Sequence, residues 1–428
     1  MNFESTLDYA RKMDAADPLS DFRQQFYIPQ KNGCDAIYLC GNSLGLQPKS
    51  VENHIKQELD DWKNLGVEGH VHAKNPWMYY HHRFARPLAH IVGAREKEVT
   101  AMNALSVNLH LLFASFYRPK GKRVKILVEG QLFPSDYFVV LSEVEQYLRL
   151  SGREDFKAED AILQINPREH EYFVRDEDVL NLIEAHQDDL TMVLLGAVNY
   201  YNGQWFDMEA ITKAGHAAGA MVGFDLAHAI GNVPMKLHDW QIDFSTWCSY
   251  KYLNSGPGGP SGIFVHERHL LNADTPQLKG WWGHEETSRF DMDLHFVPSQ
   301  GADRWQMSNV AVLSLAAHKA ALNITEEATL PALRDKSLKL TAFLEFLIRQ
   351  WITEQIEIIT PSDPEKRGCQ LSLLTGKNGR QLFDAISAKG VIADWRKPNV
   401  IRIAPAPLYN TFEDVFRFAN YLREACNE

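Results

Sequence analysis

Cysteine is scarce in this chain. Its five thiols, Cys34, Cys40, Cys248, Cys369 and Cys426, are odd in number, widely spaced and without a C-x-x-C pair, which excludes a disulfide framework and a thiolate zinc site. Long hydrophobic runs are absent as well: the longest, such as Met192 to Val198, has the length of a strand, so no segment is expected to span a bilayer. The opening Met1-Asn2-Phe3-Glu4-Ser5 lacks a basic and an apolar region, so no secretory signal is expected and a cytoplasmic setting is. Positive charge is in deficit, with 44 Lys and Arg against 55 Asp and Glu and a net charge of −11, which opposes a nucleic-acid footprint. Internal repeats and low-complexity linkers are missing too. What remains is small-molecule chemistry.

The 428 residues, 45% hydrophobic and 23% charged, suffice for a large core and more than one lobe. The segment up to about Pro29 reads as a helix broken at Asp17-Pro18, with apolar positions too sparse for an independent domain, hence an arm lying on another lobe. A helical period in Val51, Ile55, Leu59 and Trp62 ends at Gly66. Short continuous apolar runs then alternate with amphipathic helices: 125–129, 191–198, 221–226, 244–248 and 262–266. Such runs predict strands buried on both faces of a mainly parallel sheet. After about Asn309 helices (313–322, 330–351) and short strands (356–359, 369–374, 400–405) predict a smaller α+β lobe. The expected division is an N-terminal arm, 1–48, a large lobe, 49–312, and a small lobe, 313–428.

Sites in parallel sheets gather beyond the carboxyl ends of strands. Phe224-Asp225-Leu226-Ala227-His228 ends one apolar run, and Ser249-Tyr250-Lys251-Tyr252, followed by Asn254-Ser255-Gly256-Pro257-Gly258-Gly259, follows the next. An acid that can pair with a ring N–H and a lysine that can form an imine together describe a pyridoxal phosphate (PLP) site, because a protonated pyridine is the better electron sink. Taken singly, Asp225 reads as a helix cap and Lys251 as a solvated face; their order and the adjacent glycines carry the reading. Asn103 to Asn108 leads into an apolar helix, so backbone N–H groups near Ser106 offer an anion seat. Gly41 to Ser50 looks briefly like a nucleotide P-loop, but Pro48 stands where a glycine must precede the lysine. His70, His72, His81 and His82 lack helix-spaced metal-ligand geometry and an obvious carboxylate partner, so no metal is expected.

Gly41 to Gly45, Asn103-Ala104-Leu105, Phe133-Pro134-Ser135-Asp136, the Asp225 and Lys251 blocks, Gly280-Trp281-Trp282-Gly283-His284 and Arg402 to Pro405 resemble kynureninase over nearly the whole chain. The resemblance implies PLP fold type I: a mainly parallel sheet domain flanked by helices and a smaller α+β C-terminal domain. It also implies hydrolysis of L-kynurenine or its 3-hydroxy form to (3-hydroxy)anthranilate and alanine, in tryptophan catabolism and NAD biosynthesis. By the same resemblance Lys251 holds the cofactor covalently and moves the substrate proton, Asp225 pairs with the pyridine nitrogen, Phe133 stacks on the ring, and Tyr250 serves as a proton relay. Ser106, Tyr250 and Trp281 would hold the phosphate, while Leu105, Pro134, Ser135, Asp136, His228 and Asn309 complete the cofactor shell. Trp281 and Asn309 are expected from the second subunit of a homodimer. Arg402 would clamp the substrate carboxylate, and its place in an apolar strand, where an unpaired charge is costly, favours such a partner. His70, Ser308 and Asn309 match the pattern that accompanies 3-hydroxykynurenine. Two departures are Ser106, where many relatives have Thr, and Gly196, where many have Ser. The same scaffold also serves class V aminotransferases and cysteine desulfurases, though Cys369 lacks the setting of a mobile nucleophile. A non-enzymatic PLP-binding regulator would tolerate loss of Arg402 or Tyr250, and both are present.

Overall fold

The computed structural model describes residues 2–130, 132–272, 274–352 and 355–427. The arm opens with α1 (Leu7–Ala15), whose N-cap Thr6 accepts a hydrogen bond from the Tyr9 N–H at 3.2 Å. In its last turn, Asp14 accepts from the backbone N–H groups of Phe412 and Glu413 at 2.6 and 2.9 Å, so the arm caps the C-terminal helix. Lys336 and Asp17, both buried, form a 2.6 Å ion pair that fastens the arm to the small lobe. Helix α2 (Val51–Leu65) follows, and then α3 (His82–Val92), which stops at Gly93 in the left-handed region (φ 64°). A Cβ there would meet the Met235 carbonyl at 2.3 Å, so the stop needs glycine.

The large lobe is built on a seven-stranded sheet: β1 (Val99–Ala101), β2 (Lys125–Glu129), β3 (Ile162–Ile165), β4 (Leu190–Gly196), β5 (Met221–Asp225), β6 (Phe244–Trp247) and β7 (Gly262–Val265). Its spatial order is β1-β7-β6-β5-β4-β2-β3, and β7 alone runs antiparallel to its neighbours. Every residue of β4 is buried, and its alternate side chains part to the two faces: Val193 and Leu195 join one cluster, Met192 and Leu194 the other. The continuous apolar runs of the sequence are therefore strands covered twice, each buried aliphatic side chain contributing about 1.5–3 kcal/mol. Helices α4 (Leu105–Phe116) and α5 (Pro134–Ser151) pack on one face.

Helix α6 (Val312–Ala328) places Leu315, Ala316 and Leu322 in the large-lobe core, while Ile324 and Ala328 pack with Leu19 and Phe26 of the arm. The lobes thus share this helix. Helix α7 (Leu330–Trp351) then covers an antiparallel sheet of β8 (Ile356–Ile358), β9 (Leu371–Thr375), β10 (Asp394–Arg396) and β11 (Val400–Ile403), in the order β8-β9-β11-β10, together with α8 (Phe412–Asn427). Among the described residues no helix is long and apolar enough to cross a membrane. Three strands of these two sheets escaped the reading of the sequence: β1, β3 and β10 are three or four residues long and lack long apolar runs.

Candidate active site

Because β2, β4, β5 and β6 are parallel, Glu129, Gly196, Asp225 and Trp247 end at one edge of the sheet. A cavity of about 270 Å³ opens there, lined by residues from those strand ends, from the starts of α4 and α5, and by Lys251 and Arg402. Lys251 Nζ stands 3.0 Å from His228 Nε2. Burial lowers the pKa of Lys251 and, with the nearby lysine charge adding to it, holds His228 well below the ordinary imidazole range. The histidine is thus a neutral ring that can share a proton with the amine.

Facing them, Asp225 Oδ1 accepts from the Ala227 N–H at 2.7 Å. Asp136 is buried beside it, its Oδ1 has no hydrogen-bond partner, and burial followed by the Asp225 charge raises its carboxyl well above the usual range. Glu129 is raised to about 7, mainly by burial, against hydrogen bonds from Asn199 Nδ2 (2.8 Å) and the Gly196 N–H (3.3 Å). A Cβ on Gly196 would lie 2.8 Å from Glu129 Oε1, so the carboxylate occupies the space that the serine of relatives would need. Glu129 was not among the sequence candidates, although it ends an apolar strand, the position that drew attention to Asp225.

Ser106 and Ser135 occupy the first turns of α4 and α5, and their hydroxyls lie 2.6 Å apart. Two helix N-termini converging on a hydroxyl pair form an anion seat. Leu105, Tyr250, Gly258, Gly259 and Ser261 complete this side of the cavity. The Tyr250 phenol is raised, by burial above all, and stays protonated as a donor. Pro134 begins α5 at its first position, where its missing N–H costs nothing. Phe133, just before it, is half exposed toward the cavity and meets Tyr200 edge to face at 5.2 Å.

The reason given for the burial of Arg402 needs correction. Arg402 is buried but already has a protein partner: its Nε donates to Asp394 Oδ1 at 3.0 Å and its Nη1 to the Tyr200 carbonyl, so its burial needs no bound carboxylate to explain it. It nevertheless lines the cavity beside Arg396, a cation the sequence reading passed over. His70 and Ser308 do not line the cavity of their own chain: His70 packs edge-on against Trp77 at 5.5 Å, and the exposed Ser308 donates to Asn309 at 3.2 Å. Trp281 and Asn309 are likewise exposed and outside it, with the Trp281 indole N–H bonded to the Arg289 carbonyl.

The chain is 49% identical to a kynureninase of Flavobacterium psychrophilum over the full length of both chains. The chain belongs to the kynureninase family. A kynureninase of Myxococcus xanthus is 48% identical, covering 100% of this chain and 99% of the relative, and one of Monosiga brevicollis is 46% identical across 98% and 95%. The family model for the kynureninase C-terminal domain matches residues 333–422. Among solved structures, the cysteine desulfurase of Thermococcus onnurineus aligns with a TM-score of 0.73 at 18% identity, covering 94% of this chain and 97% of its own. A cystine lyase with a PLP-linked ligand reaches 0.75 at 15%, covering 94% and 98%. At such identities the likeness is one of fold, PLP fold type I. The residues of this kynureninase-family chain fit PLP: a buried amine of lowered pKa, carboxylates where a pyridinium would lie, and a hydroxyl-lined double helix terminus for the phosphate.

Proposed function

We propose that this chain hydrolyses the Cβ–Cγ bond of L-kynurenine, and of its 3-hydroxy form, to (3-hydroxy)anthranilate and L-alanine, a step of tryptophan catabolism and NAD biosynthesis. The observation that carries the reading is the buried Lys251–His228 pair, 3.0 Å apart, facing the Asp225 and Asp136 carboxyl groups across one cavity. PLP, when bound, supplies the electron sink that stabilises negative charge at the substrate carbons.

The protein supplies the rest. Ser106, Ser135 and the starts of α4 and α5 would hold the phosphate and Asp225 would pair with the pyridine nitrogen, with Asp136 raised beside it, by burial above all, as a carboxyl that can keep its proton. Lys251 Nζ takes the proton from the substrate Cα, its lowered pKa making the free amine available. Water adds to the γ-carbonyl, the Cβ–Cγ bond breaks, the aryl acid leaves, and the Tyr250 hydroxyl relays a proton to Cβ. Arg402, held rigid by Asp394, presents its remaining charge to the substrate carboxylate.

A homodimer with shared sites explains why Trp281 and Asn309 are exposed and away from their own cavity. On this reading a second copy brings them to it, together with Ser308, and the enzyme works in the cytoplasm. A desulfurase reading is opposed by Cys369, which is fully buried and pushed up to about 12 by that burial, and by Cys248, pushed up to about 11; neither is a mobile thiolate. Mixing purified protein, PLP and kynurenine should yield anthranilate fluorescence and alanine; a keto acid in their place would indicate transamination. Comparable or higher kcat/KM for 3-hydroxykynurenine is expected, and a strong preference for plain kynurenine would remove His70, Ser308 and Asn309 from the substrate assignment.

A further inference from the structure

A second group of unsatisfied polar atoms lies away from the cofactor cavity, where the 281–309 loop folds back on the start of α3. His81 and His82 stand at the N-terminus of α3, and Glu286 and Asp303 come from the loop. One potential ligand atom from each of the four lies within 4.8 Å of the others. His81 is only 3% exposed, and neither of its ring nitrogens has a hydrogen-bond partner. Glu286 Oε1 sits 2.9 Å from His82 Nε2 and 3.9 Å from His81 Nε2, yet it too has no hydrogen-bond partner.

A His82–Glu286 ion pair would account for half of this arrangement. It leaves the His81 ring unanswered, and a buried polar atom without a partner costs about 1–3 kcal/mol. The carboxylates missing from the sequence reading of these histidines are therefore supplied by a loop some two hundred residues later in the chain.

We propose that His81, His82, Glu286 and Asp303 form a binding site for one divalent transition ion of the zinc class, which pins the loop bearing Trp281, Ser308 and Asn309 to α3. Two imidazoles and two carboxylates make an N₂O₂ set that such ions accept. With bonds of about 2.0–2.1 Å, tetrahedral ligand atoms lie about 3.4 Å apart, inside the 2.9 to 4.8 Å spread observed. Ser299 Oγ donates to Asp303 Oδ2 at 2.5 Å, which orients the carboxylate and leaves Oδ1 for the ion. Arg289 is a nearby cation whose charge also reaches Glu286 and Asp303, but its hydrogen bonds go to the Trp282 and His284 carbonyls, at 2.8 and 2.9 Å, and it lies over the Trp282 ring at 4.5 Å. The two carboxylates balance the charge of the ion. His82 is exposed on the outer flank, which gives the ion a path in, and the four residues border a cavity of about 530 Å³ separate from the Lys251 cavity.

Chelator-treated holoenzyme, titrated with Zn²⁺ by calorimetry and with Co²⁺ by visible absorption, should bind one ion per chain and give a four-coordinate Co²⁺ spectrum. His81→Gln and Glu286→Gln should each weaken Zn²⁺ binding by at least about tenfold, and Zn²⁺ should slow proteolytic cleavage within 285–303 in the unmodified protein but not in the variants. No ion bound, or binding that survives both substitutions undiminished, overturns the site. If His81→Gln does not fold, Glu286→Gln on the half-buried partner decides alone.

Discussion

Two aspartates stand at opposite edges of the large sheet on neighbouring parallel strands: Asp225 ends β5, and Asp243 directly precedes β6. Asp243 is 2% exposed, and both its oxygens are answered, by His216 Nε2 (2.9 Å), His269 Nε2 (2.7 Å), the Val222 N–H (2.7 Å) and Arg268. Burial works against its charge, yet the hydrogen bonds from the two histidines and the Arg268 guanidinium outweigh it and hold the carboxyl below its usual range. At the other edge the balance reverses. Asp136 and Glu129 are raised, Lys251 is lowered, and polar atoms of Asp136 and His228 lack partners. A buried charge cluster complete in itself belongs to the scaffold. One that is strained and unfinished awaits a ligand.

The sharpest break in that comparison is Lys251→Ala. Turnover should fall to background and borohydride should no longer fix the cofactor to the protein by mass, while the melting temperature stays within a few degrees; residual turnover above a hundredth of the unmodified rate would remove Lys251 from the chemistry. Asp243→Asn should do the reverse, costing about 3 kcal/mol in denaturant unfolding because it removes the buried carboxylate that His216, His269 and the partly exposed Arg268 share, with kcat of the folded enzyme unchanged. Loss of kcat with full stability would show that the two edges are not separate in function.

The smallest effect is in the pH dependence of cofactor-free protein. Glu129, raised in the fold from 4.5 to about 7, keeps its proton there when the unfolded chain has lost it. Its contribution therefore falls as pH rises through about 4.5 to 7, by up to about 3 kcal/mol. Asp243 has the opposite sign: its contribution is present above the ordinary aspartate pKa of 3.8 and is lost on acidification through its lowered value. Glu129→Gln should flatten the decline between pH 4.5 and 7, and Asp243→Asn the acid limb below about 4, as read by urea midpoints across pH. Parallel curves for either variant would contradict the assigned shift.

Much of the cofactor side of the site was legible in the chain, because parallel strands buried on both faces read as apolar runs and their carboxyl ends point one way. That logic selects Asp225 and Lys251, and applied evenly it selects Glu129. Arg402 was misread in its pairing, since Asp394 reaches it only when β10 and β11 fold side by side. His70, Ser308, Trp281 and Asn309 carry no local pattern that places them, and one folded chain leaves them outside the cavity.

The sequence by itself determined the sheet, the edge where its chemistry gathers and the family, because burial periodicity and short motifs are local properties of the chain. Only the tertiary structure decided which charges are answered. A carboxylate's partners come from distant segments, as His216, Arg268 and His269 do for Asp243, and whether they arrive sets both the pKa of the group and what it can do.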